Sequence, residues 1–166
     1  MKPAFMIIDM QKEFFKGSSK ESMTDASEYI NEVLGYFREK KLPIVWVQDI
    51  DKESGVIPDA VGFELIDLLK KEKNEVSIFK EYGNSFNKTQ CRIILKKEQV
   101  DVIVIAGYCA ENCVLSTYRG AEDFDFSPVL LKNGIASGDN ENLKFVEKIS
   151  DQIPYNILKK MLENVI

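Results

Sequence analysis

Five short apolar runs constrain the fold of this chain more than any other feature: AFMII at 4–8, IVWV at 44–47, VSIF at 76–79, VIVIA at 102–106 and VLL at 129–131. A strand with one wet face alternates apolar and polar residues. A run apolar at nearly every position, rich in β-branched side chains, has to be covered on both faces, which is the condition of a strand inside a parallel sheet. Pro43 and Pro128 stand just before two of the runs, where a strand tolerates a missing N–H. A short sixth strand is expected near 150–153.

Helical spacing fills the gaps. Tyr29, Ile30, Val33, Leu34 and Phe37 recur at the intervals of one helix face and predict a helix over 25–40. Further helices are expected over 62–71, over 89–97 with Thr89 as its N-cap, over 112–124 and over 156–165. The polar stretches 49–59 and 138–142 read as surface loops. Strand and helix in alternation predict an α/β protein with helices on both faces of a parallel sheet. The chain has 166 residues without repeat or linker, so a single domain spanning 1–166 is expected.

Composition narrows the chemistry. There is no histidine, which removes His-dependent triads, His-ligated zinc and imidazole switches. The 22 basic and 27 acidic side chains give a net charge of −5, unsuited to nucleic acid or to an anionic membrane surface. No apolar stretch approaches a membrane span, and the N-terminal run is too short for a secretory signal. Cys91, Cys109 and Cys113 are an odd count without a disulfide framework. A cytoplasmic protein with reduced thiols is expected.

In an open parallel sheet, ligands sit at the carboxyl ends of the strands. Asp9 ends the first run, Lys80 the third, and Cys113 lies just past the fourth, near a helix start. A carboxylate, an ammonium and a thiol form a catalytic set that needs no imidazole. Cys113 would be the nucleophile, its thiolate favoured by the helix N-terminus and disfavoured by Asp9. Asp9 would move the proton, and Lys80 would hold Asp9 and balance its charge. Taken singly, each residue also has a plainer role: a turn aspartate, a solvated strand-end lysine, a small core cysteine.

Three motifs in one register decide between these roles. DMQKEFF after the first run, FKEYGNSF around Lys80 and VIVIAGYCAENCVLSTYRGAEDFDF around Cys113 together resemble the isochorismatase-like cysteine hydrolases. That family includes nicotinamidases, N-carbamoylsarcosine amidohydrolases and ureidoacrylate amidohydrolases. The resemblance runs from Lys2 to about Leu131. It implies a three-layer α/β/α, Rossmann-like fold with a six-stranded parallel sheet in the order 3-2-1-4-5-6. It also implies Asp9, Lys80 and Cys113 as catalytic residues, with a cis peptide between Tyr108 and Cys109. The backbone N–H groups of Cys109 and Cys113 would then form an oxyanion hole.

Further expectations follow from the same likeness. Gln11, Phe14, Trp46 and Tyr82 are candidates for contact with substrate, Trp46 facing either the crevice or the core. Gln11 either bonds Asp9 or begins a loop, and Phe86 either covers the pocket or packs the following helix. Nicotinamidases resemble one another in an Asp-and-His metal site after the second strand. Here VWVQDIDKESG keeps Asp49 and Asp51 but no histidine, so no metal or other cofactor is expected. The retained Cys113 implies cleavage of a C–N bond in a small amide or carbamoyl substrate by a homo-oligomeric enzyme. The rivals are a non-catalytic binding or assembly module and a receiver- or flavodoxin-like domain.

Overall fold

A computed structural model describes residues 1–163. Six strands form one sheet: β1 (Pro3–Ile8), β2 (Ile44–Asp49), β3 (Val76–Lys80), β4 (Val102–Tyr108), β5 (Ser127–Ala136) and β6 (Gln152–Ile153). Their order is β3-β2-β1-β4-β5-β6 and every pairing is parallel. The helices are α1 (Gly17–Glu39), α2 (Cys91–Lys97), α3 (Leu115–Asp123), α4 (Asn140–Ile149) and α5 (Tyr155–Glu163). The expected three-layer arrangement and strand order are present.

Unbroken apolar runs are needed because β1, β2, β4 and β5 each feed two cores. The edge strand β3 feeds one and leaves Ser77 and Phe79 exposed, contrary to the expectation for its run. On one face Phe5, Ile7, Trp46, Val104 and Ala106 pack with Met23, Ile30 and Phe37 of α1 and Leu158 and Leu162 of α5. On the other face Ala4, Met6, Ile8, Val45, Ile103 and Ile105 pack with Leu95 of α2, Tyr118 of α3 and Val146 of α4. All six residues of β1 are buried, as the middle of such a sheet requires.

Several boundaries differ from expectation, each for a local reason. No helix spans 62–71: only a single 3-10 turn, Val61–Phe63, forms there. The backbone beyond it pairs with another segment, Lys12 N–H donating to Glu64 C=O and Ile66 N–H to Met10 C=O, at 2.9 and 3.0 Å. Cross-chain pairing thus overrides a helical apolar spacing. Helix α1 begins well before residue 25, through the polar stretch GSSKESMT. Helix α4 occupies part of the expected 138–142 loop and continues past it. It starts where the Asp139 carboxylate accepts the N–H groups of Glu141 and Asn142, and only Val146 on it is fully buried, so its apolar stripe is thin. The N-cap position of α2 is Gln90, while the Thr89 hydroxyl accepts the Cys91 N–H at 3.2 Å. The expected end of the last helix at Val165 lies outside the described residues.

Between β1 and β4 the sheet reverses its direction of growth, the place where such folds open a crevice. The close approach there depends on Gly107, which pairs with Ile8 at φ +117°. A Cβ at Gly107 would stand 2.1 Å from the Ile8 carbonyl oxygen. Gly107→Ala should therefore force the two central strands apart. The expected cost is about 3 kcal/mol or more, read as a lowered urea midpoint. An unchanged midpoint would show that the strands relax freely at this position.

Candidate active site

Strand register brings the polar residues together. Ile8 lies beside both Val47 of β2 and Gly107 of β4, and Asp49 pairs directly with Lys80 across β2 and β3. Residues at or just past these strand ends therefore face one another along one edge of the sheet. Asp9 leaves the extended conformation at φ +49°, a left-handed value that aspartate tolerates better than most residues. Its N–H donates to Val47 C=O, and its own C=O accepts the Gln11 N–H at 2.8 Å. The chain turns at Asp9 with the carboxylate at the strand end.

Cys113 arrives from β4. After the cis Tyr108–Cys109 peptide the backbone enters a π-helical turn, Ala110–Val114, that runs straight into α3. The Cys109 C=O accepts N–H groups from both Asn112 and Val114, closing that turn. Cys113 lies within it, half-buried.

Lys80 joins all of these groups. Its ammonium is 2.9 Å from Asp9 Oδ2 and 2.8 Å from Asp49 Oδ1, and it donates to Cys113 Sγ at 3.2 Å. The Lys80 and Asp9 side chains are 0% and 2% exposed, whereas the Asp49 side chain is 21% exposed. The second oxygen of Asp9, Oδ1, is buried and accepts no conventional hydrogen bond from the described residues. A carboxylate oxygen of Asp9, one of Asp49 and the Cys113 sulfur all lie within 4.8 Å of one another.

Protonation follows from this burial. Loss of water raises the Asp9 carboxyl most, Lys80 and the thiol hold it back, Asp49 adds a smaller upward push, and its pKa comes to about 6 against an ordinary 3.8. Burial opposes the Lys80 ammonium. The charge of Asp9, the Cys113 sulfur and the hydrogen bonds to Asp49 and Asp9 outweigh it, so its pKa lies above the ordinary value. Cys113 is pushed up to about 12, first by burial and then by the Asp9 charge, with Lys80 opposing. The helix N-terminus does not prevail over burial and a neighbouring carboxylate. At neutral pH the resting set is a carboxylate, an ammonium and a thiol.

Asp49 was not singled out as a site residue from the sequence. The signal was present, since it lies two residues past the second apolar run much as Asp9 follows the first, but its partner is set by register alone. Gln11, a candidate for substrate contact, is fully buried and committed elsewhere. Its amide donates to Asp49 C=O and Phe63 C=O at 3.0 and 3.2 Å and accepts the Asp49 N–H at 2.7 Å. It clamps the end of β2. Trp46 lies in the α1-side core with its indole N–H on Glu75 at 2.7 Å, away from the crevice. Phe86 packs against Phe124 and Phe126 in the opposite core. Phe14 stacks on Tyr108, with ring centroids 5.4 Å apart, and so stays beside the turn that carries Cys113. Tyr82, just past Lys80, is exposed and accepts from the Lys88 ammonium. Cys91 and Cys109 are buried thiols raised to about 12 and about 11, both chiefly by loss of water.

A metal does not fit this donor set. Asp9, Asp49 and Cys113 converge, but the Lys80 ammonium already stands among them at 2.8–3.2 Å and supplies the positive charge. Asp51 is occupied in a turn, accepting from the Glu53 and Ser54 N–H groups and the Ser54 hydroxyl.

The profile of the Isochorismatase domain matches residues 3–147. The chain belongs to the isochorismatase family. A family relative, the uncharacterized protein YrdC of Bacillus subtilis, is 30% identical over 139 residues, covering 82% of this chain and 74% of its own length. A probable inactive nicotinamidase of Arabidopsis thaliana is 25% identical over 148 residues, covering 76% of each chain. The N-carbamoylsarcosine amidase of Thermoplasma acidophilum shares the fold, with a TM-score of 0.83 at 22% identity over 94% of this chain and 98% of its own. The family and the fold are those of isochorismatase-like hydrolases, for which a small-molecule substrate is the consistent partner. Among the described residues, no helix is long and apolar enough to cross a membrane.

The raised Asp9 pKa makes stability depend on pH in a definite direction. The folded state holds the Asp9 proton more tightly than the unfolded chain does. The stability this contributes is fully present below about pH 4 and is lost as pH rises through about 6. Urea unfolding should therefore show about 1 kcal/mol less stability at pH 7.5 than at pH 5. Asp9→Asn should flatten that difference, and a difference of opposite sign would contradict the assignment.

Proposed function

We propose that this protein is a metal-independent cysteine hydrolase that cleaves a C–N bond in a small amide or carbamoyl compound. One observation supports this most: the buried Lys80 ammonium engages both Asp9 Oδ2 and the Cys113 sulfur, and a carboxylate oxygen of Asp9 lies within 4.8 Å of that sulfur.

The chemistry follows from the resting charges. Because Cys113 rests as a thiol, its proton has to leave as the sulfur attacks, and the Asp9 carboxylate receives it. The sulfur lone pair forms a C–S bond to the substrate carbonyl carbon, and the carbonyl π electrons move onto oxygen. Backbone N–H groups of Cys109 and Cys113 hold that oxyanion. As the tetrahedral species collapses, Asp9 gives its proton to the departing nitrogen and the C–N bond breaks, leaving a thioester. Asp9 then takes a proton from water, the hydroxide displaces sulfur, and the thiol is restored. Lys80 stays protonated throughout, which favours the ionised form of Asp9 at each step where it acts as the base.

A non-catalytic role has one observation on its side: a thiol held at about 12 is a poor nucleophile until a base removes its proton. Turnover separates the two. Across a panel of small amides, ammonia or amine release should appear, and Cys113→Ala should lower it to below about one thousandth. A slowly turned-over amide should leave an acyl mass on the intact protein at Cys113. Activity should fall as pH drops through about 6, where Asp9 takes up its proton, with no inflection near the ordinary thiol pKa of about 8.5. An acyl mass at Cys91, or none with no product released, would falsify the hydrolase assignment.

A further inference from the structure

We infer that the site discriminates by charge, taking neutral or cationic amides and rejecting those that carry a carboxylate, and that Asp49 is the specificity-determining residue. This rests on the cysteine-hydrolase assignment above.

The two carboxylates of Asp9 and Asp49 share one ammonium, and the thiol between them is uncharged, so the cluster carries one excess negative charge. Its location follows from exposure. Asp9 and Lys80 are sealed beneath the surface, whereas the Asp49 side chain is 21% exposed, so the uncompensated charge lies on the side an arriving molecule meets. Charge set against buried groups is weakly screened, and a second anion close to it is disfavoured.

A substrate carboxylate would need a cation to receive it. The lysines of the segments bordering the site are committed to other groups. Lys12 pairs with Glu64 and Asp67, Lys16 with Glu13 and Lys52 with Glu81, while Lys88 donates to the Tyr82 hydroxyl. The remaining buried cation, Lys80, is saturated by its three partners. An amide N–H or a cationic group on the substrate, by contrast, finds an acceptor in Asp49.

Asp49 can be altered without moving the strand that carries it. Its backbone N–H and C=O are both clamped by Gln11, independently of its carboxylate. Iodoacetamide and iodoacetate are close in size and differ by one charge, and each alkylates sulfur by displacing iodide while the thiol proton passes to solvent. Their rates at Cys113, located by peptide mass at pH 9, give a neutral-to-anionic ratio. The reference is the same ratio for the urea-unfolded chain.

The folded protein should exceed that reference by about tenfold. Asp49→Asn should bring the ratio back to near the reference, and Asp49→Glu should retain most of the preference. A folded ratio equal to the reference overturns the inference, as does a ratio unchanged in Asp49→Asn or an absence of labelling by either reagent. The wild-type ratio decides even if Asp49→Asn does not fold. Alkylation requires no hydrolysis, so a charge preference without turnover of any amide overturns the hydrolase assignment alone. Turnover that favours carboxylate-bearing amides over matched neutral ones overturns the charge inference alone.

Discussion

One buried ammonium organises the reactive end of this molecule. At an effective dielectric of about 20, a contact near 2.9 Å is on the order of 6 kcal/mol, comparable with the several kcal/mol an ion loses when taken from water. A single carboxylate would leave Lys80 barely compensated. With Asp9 and Asp49 both within 3 Å, the ammonium is held firmly enough to stay protonated at zero exposure. The same arrangement leaves the Asp9 carboxyl with a raised pKa and Cys113 as a neutral thiol.

The sheet makes that cluster affordable. Strand order reverses between β1 and β4, the place where such folds open a crevice, and Gly107 lets the two backbones approach closely there. Gln11 then fixes the end of β2 through two hydrogen bonds to the Asp49 backbone and ties it to Phe63 C=O by a third, so a fully buried residue positions Asp49. The short π-helical turn after Cys109 carries the sulfur back over the strand ends. Rigid strand termini, not a flexible loop, hold three of the four charged or reactive groups.

Some elements were legible because one physical demand left one pattern. Residues 4–8 and 102–106 had to be apolar throughout, since alternate side chains enter two different cores. Residues 62–71 show the opposite case. Their apolar spacing suits a helix, yet Ile66 donates its N–H to Met10 C=O and Glu64 C=O accepts the Lys12 N–H, partners far away in the chain. Helix α4 escaped notice because one aspartate cap and one fully buried valine carry it, which is too little periodicity to read.

The sequence by itself determined the sheet class and the absence of imidazole chemistry and set Asp9, Lys80 and Cys113 at or beyond the ends of apolar runs, because composition and run length are properties of the chain alone. Tertiary structure decided which of them touch and in what protonation state. Trp46 became core and Gln11 a clamp, while Asp49 joined Lys80, since each outcome depends on strand register and burial. Register pairs residues distant in the chain, and the pKa of a buried group is set by the water it has lost and the charges it has met. Neither quantity exists before the chain folds.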